Sequence, residues 1–177
     1  MGTAFELGMD ELRAVTAYAA DCADMVLDLF ERHHPADRRP RDAVTAARAF
    51  AGGGKRGKGL RDVSWAALRS AQDAHNPASE HAARAAMAAS AAAYLHPLPS
   101  ASQVKHILGA AAHAARAAEL DAGDSAEIGV AGIQAAARMA GATVVMVLRR
   151  YPSAPAGGGR VGELLRLLDA TLRSAGQ

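Results

Sequence analysis

The chain has 177 residues and a formal net charge of +2; half of it is apolar, and alanine supplies 46 of the apolar positions. That length suits one domain with a real core and is short for two. Seven aromatics and thirteen Val plus Ile are too few to build a sheet, which excludes a β-rich architecture and points to an all-α protein with closely packed, small-residue helix interfaces.

The opening residues, MGTAFELGMDEL, are acidic and lack the apolar core of a signal peptide. Residues 10 to 32 have the spacing of one long amphipathic helix, with Leu12, Val15, Ala19, Cys22, Val26 and Leu29 on its inner face. Cys22 is the sole cysteine, so an intrachain disulfide is excluded, and it reads as a small buried side chain. Asp21, Asp24, Asp28 and Glu31 share the opposite face. The simplest reading of that acidic stripe is a solvated surface; pairing with the basic segment that follows, or with a basic partner, is the alternative. Residues 1–31 hold seven acids against one arginine, and residues 32–61 hold nine Lys or Arg against two acids, so the chain is locally dipolar.

HHPADRRPRDAV is a turn, with Pro40 in the first turn of a second helix over 40–51 that the glycines at 52–54 end. AFAGGGKRGKGLR, residues 49–61, nearly spells a phosphate loop: Gly52, four residues, Gly57 and Lys58 fit, but Gly59 stands where Ser or Thr should hold magnesium. The segment before it is helical in pattern, whereas a phosphate loop follows a strand. It therefore reads as a basic connection, with Lys55, Arg56, Lys58 and Arg61 as a candidate patch for an anionic surface.

A third helix follows over about 60–75 and carries Trp65, the only tryptophan. Asn76 is placed to cap a fourth helix, with Pro77 just inside it, that runs through AARAAMAASAAAYL to about 94. HPLPSAS breaks the chain, and His96 beside Pro97 can cap a neighbouring helix end. A fifth helix spans about 102–120, with Val104, Ile107, Leu108, Ala111, Ala115 and Ala118 inward. His106 and His113 fall together on its other side, where an alanine-flanked histidine face suits a second packing surface or a shallow groove.

Ser125 is a candidate cap for residues 126–151, which form one helix or two with Gly141 as the break. TVVMVL is strand-like, but a lone strand has nothing to pair with, so it reads as helix. Residues 160–174 form a last helix with Val161, Leu164, Leu165, Leu168 and Leu172 inward. The expectation is a single domain over 1–177, of about seven helices in an α-hairpin array or irregular bundle, with loosely ordered ends at 1–8 and 175–177.

Seven histidines raise a metal site, but the spacing argues against one. His106 and His113 lie roughly 10 Å apart along a helix axis, and neither HExxH nor CxxC occurs. There is no Gly-x-Ser-x-Gly elbow for a nucleophile. No cofactor or metal is expected. The Ala-rich runs are interrupted by charge, so no membrane span is expected, and the setting is read as cytoplasmic.

Two blocks, the Asp-Arg-x-Pro-Arg turn with its Ala-Ala-Arg-Ala-Phe helix (37–51) and YLHPLPSASQVKHILGAAAHAARAAEL (94–120), resemble Ala-rich, all-helical bacterial immunity proteins of polymorphic-toxin systems. The resemblance covers about residues 10–173. The recognisable positions are Arg39, Pro40, Arg41, Tyr94, Leu95, His96, Pro97, Leu98, Gln103, Lys105, His106 and His113. It implies a non-enzymatic protein that neutralises a partner, a cognate toxin or other bacterial protein, by binding it. The glycine–lysine loop is longer and more basic than the family's. The alternative is a nucleic-acid or anion-binding regulator using residues 55–61, although few aromatics are available for stacking.

Overall fold

A computed structural model describes residues 5–175, and it is helical without strands over that range. The expectation about the chain ends falls partly on residues 1–4 and 176–177, outside the described residues. Nine α-helices occur among the described residues, two more than expected. The expected first helix is two, α1 (Met9–Asp24) and α2 (Leu27–His33), bent at Met25 and Val26. The bend lets α1 pack on the middle of the molecule while Leu27, Leu29 and Phe30 of α2 are buried and α2 packs on α5.

Then come α3 (Arg39–Ala51), with Pro40 in its first turn, and α4 (Lys58–Asp73), capped by Gly57. The segment 52–57 joins these two helices, so the Gly–Lys motif follows a helix rather than a strand. Next is α5 (Pro77–Ala91), whose Asn76 side chain accepts from the Ser79 backbone N–H at 3.0 Å. Single 3-10 turns at Ala92–Tyr94 and Ala101–Gln103 frame the next connection, and α6 spans Val104–Asp121. Residues 126–148 form α7 (Ala126–Met139) and α8 (Ala142–Leu148), separated at Gly141, with TVVMVL helical. Ser125 stands before α7, but its hydroxyl donates to Glu127 rather than capping the backbone. The chain closes with α9 (Gly159–Ser174).

The central pair is α5 and α6, and alanine explains it. Ala82, Ala83, Ala85, Ala86 and Ala89 of α5 are all buried, as are Ala110, Ala111, Ala112, Ala114, Ala115 and Ala117 of α6. Helices apolar on nearly every side belong in the interior, and small side chains let their backbones approach. A Cβ added at Gly109 would stand 3.8 Å from that of Ala88. Helices α1 to α4 pack on α5, and α1 and α7 to α9 pack on α6.

The acidic stripe is exposed at Asp21, Asp24 and Asp28, and the pairing alternative holds beside the solvated reading. Asp21 and Asp24 pair with Arg48, and Asp24 and Glu31 pair with Arg41, so three of its four acids meet the positive face of α3. The dipolar charge pattern seen in the sequence is thus partly closed within the molecule. No single helix among the described residues is long and apolar enough to cross a membrane; α7 and α8 qualify only when joined, and they meet at 106°.

Candidate binding groove

One face of α4 opens onto solvent beside the end of α5. Arg61, Trp65 and Leu68 recur at helical spacing and share that face. Beneath them the Ser64 hydroxyl donates to the Met87 carbonyl at 3.2 Å, fastening α4 to α5. The opposite wall is the turn after α5, where Tyr94, His96 and Pro97 face the groove over the buried Leu95. His106 of α6 closes the far end. The space is about 710 Å³.

Trp65 is 61% exposed. Tryptophan is highly buried on average, so its place at the lip of a groove is unusual for a surface with no partner. Tyr94 is held from both ends: its hydroxyl donates to the Gly57 carbonyl at 2.7 Å, and its ring lies under the Arg61 and Arg56 guanidiniums at 4.8 and 5.7 Å. Arg56 also donates to the Ala93 carbonyl at 3.0 Å. No carboxylate lines the groove.

A second cleft of about 540 Å³ lies behind His106, between α5, α6 and the loop leading into α9. Lys105, His106 and His113 are its charged or titratable lining, among Ala, Gly, Met, Val and Leu. The loop wall is shaped by Gly157 and Gly158, both in the left-handed region (φ +88° and +77°), and Arg166 donates to the Gly157 carbonyl. Both histidines are partly buried, as their face predicts. Burial lowers the pKa of His106, with the Lys105 charge acting the same way. It pushes His113 down to about 3, helped by His81 and Arg84. His113 does not pair with His106. Its Nδ1 lies 3.0 Å from Nδ1 of His81 on α5, the rings stacked at 5.2 Å, so one ring donates to the other.

The candidate residues therefore divide. Arg56, Arg61, Tyr94, His96 and His106 converge on the groove, and Lys105, His106 and His113 on the cleft. Lys55 stands in solvent, and Lys58, 87% exposed at its side chain, pairs with Asp62 at 2.7 Å. Arg39 and Arg41 lie elsewhere and hold the fold. Arg39 bridges Asp37 and Asp73, and with the Ser70 hydroxyl it holds the Asp37 carboxyl down to about 2. Arg41 clamps Glu31, lowering that pKa as well. His96 makes its contacts through its backbone: its N–H donates to Gln103 and its carbonyl accepts from Tyr151.

Sequence reasoning missed Trp65 as a groove residue and His81 as the partner of His113. A lone tryptophan at helical spacing reads as core, and a contact between α5 and α6 leaves no trace in spacing. Among the described residues, no three His, Cys, Asp or Glu side chains converge as a metal site.

Residues 6–139 match the family model described as Imm-5 like putative immunity protein. The chain belongs to this family. The matched segment contains the whole groove, from Arg56 to His106, whereas the α9 side of the cleft lies beyond it. No match was found among curated proteins or among solved structures.

Proposed function

We propose that this immunity-family protein binds a protein toxin in the cytoplasm and neutralises it by direct contact, without catalysis. The observation that carries this reading is the family match over residues 6–139. The exposed Trp65, set among Tyr94 and two arginines inside the matched segment, supports it, because Trp, Tyr and Arg dominate protein-binding hot spots. Burial pushes the Cys22 thiol up to about 12, which fits a packing role better than a nucleophilic one.

The test is capture of host proteins on the chain, followed by co-expression of each captured protein with and without it. One captured protein should arrest growth alone, lose that effect when the chain is present, and form a complex with it by calorimetry. An arrest that the chain leaves in place, or captured proteins with no effect on growth, would overturn the reading. Nucleic acid retained through purification would instead favour the regulator reading for residues 55–61.

A further inference from the structure

The basic segment 32–61 contains nine Lys or Arg. Six form salt bridges within the molecule: Arg32, Arg38, Arg39, Arg41, Arg48 and Lys58. Lys55, Arg56 and Arg61 have no carboxylate partner among the described residues, and the two arginines are the ones that line the groove. Their guanidiniums are positioned in advance by Tyr94, itself pinned to Gly57. Trp65, at the lip, and Leu68 continue this cationic end as an apolar wall along α4.

We infer that the groove receives an acidic segment of the partner protein, a carboxylate beside an apolar side chain, with Arg61 and Arg56 meeting the charge and Trp65 covering the apolar part. This rests on the immunity reading above. Arginine N–H groups match carboxylate geometry, and a positioned guanidinium loses little freedom on binding. The two arginines gather on one tyrosine rather than forming the extended cationic track that a nucleic-acid backbone follows, which favours a protein segment.

Trp65 is the only tryptophan, so its emission reports on the groove directly. A tryptophan-free random peptide library displayed on phage is selected against the full chain, and the selected peptides are titrated by fluorescence. They should place Asp or Glu beside an apolar residue, shift the Trp65 emission, and bind more weakly as salt rises. Arg61→Gln should weaken them at least tenfold, about 1.4 kcal/mol, with Arg61→Lys between it and the native chain. Arg56→Gln provides a second variant, and both side chains stand at the surface, so the fold should hold. Basic or neutral selected peptides, no selected peptide, or no change in Trp65 emission would overturn the inference. So would single-stranded oligothymidine binding with the same Arg61 dependence. Growth protection separates the two claims. An Arg61→Gln, Trp65→Ala chain that protects as well as the native one removes the groove from partner recognition and leaves the immunity reading intact. A native chain that binds the acidic peptides but fails to protect removes the immunity reading and keeps the groove's chemistry.

Discussion

His113 sits between hydrocarbon and positive charge. Burial, His81 and Arg84 all oppose its protonation; at His81 itself burial also lowers the pKa, the Glu80 carboxylate raises it, and Arg116 and Arg84 lower it. The folded-state pKa of about 3 lies below the ordinary histidine value of 6.5, so the unfolded chain binds the proton more readily. Stability from this site is therefore complete above about pH 6.5 and is lost as pH falls toward 3. The thermal midpoint should drop steadily between pH 7 and pH 5, and His113→Leu should flatten that slope. An equal slope in the variant would assign the loss to other groups. The histidine face was legible in the sequence through its helical spacing. Its pairing with His81 was not, since the two rings meet only because α5 and α6 lie side by side.

Gly129 shows what decides a contact at the scale of elements. A glycine inside a helix normally costs about 1 kcal/mol relative to alanine, so Gly129→Ala in α7 would ordinarily stabilise. Here an added Cβ would collide with the Glu119 carboxyl group and stand 2.8 Å from its Cγ. Glu119 cannot move aside, because it is 1% exposed and held by Arg116 of α6 and Arg160 of α9. Gly129→Ala should lower stability by about 1–3 kcal/mol, the scale of overpacking, measured by chemical denaturation. A neutral or stabilising result would show that the Glu119 cluster yields. Lys58 is the contrasting case: it is exposed and paired only with Asp62 in its own helix. Lys58→Ala should change stability by no more than about 0.5 kcal/mol, and ATP with magnesium should not raise the midpoint of the native chain. A nucleotide-induced rise abolished by Lys58→Ala would revive the phosphate loop.

At the scale of the molecule, α8 and α9 lie beyond the segment that matches the family, yet they are tied into it. Arg150 of the stretch after α8 pairs with Glu11 of α1, and Arg160 pairs with Glu119 of α6. Tyr18 of α1 donates to the Ala136 carbonyl of α7, joining the first helix to the later half. The chain should therefore unfold as one cooperative unit, with helix circular dichroism and Trp65 fluorescence giving the same midpoint. Two separated transitions would divide it into independent parts.

By itself the sequence determined the all-α class, the Ala-rich character of the central helices, Pro40 in the first turn of α3 and the Asn76 cap of α5, and it named Gly141 as the break if residues 126–151 form two helices. Each follows from propensity, periodicity or a residue with restricted backbone geometry, and these act over a few neighbouring positions. The tertiary structure alone decided three things. It bent the first helix at Met25 and Val26, where neither glycine nor proline signals a break. It matched the acidic stripe of α1 and α2 to Arg41 and Arg48 of α3. It also left Arg56, Arg61 and Trp65 facing solvent around Tyr94. All three depend on which helix faces lie opposite one another, and spacing along one helix carries no record of the surface that another brings to it.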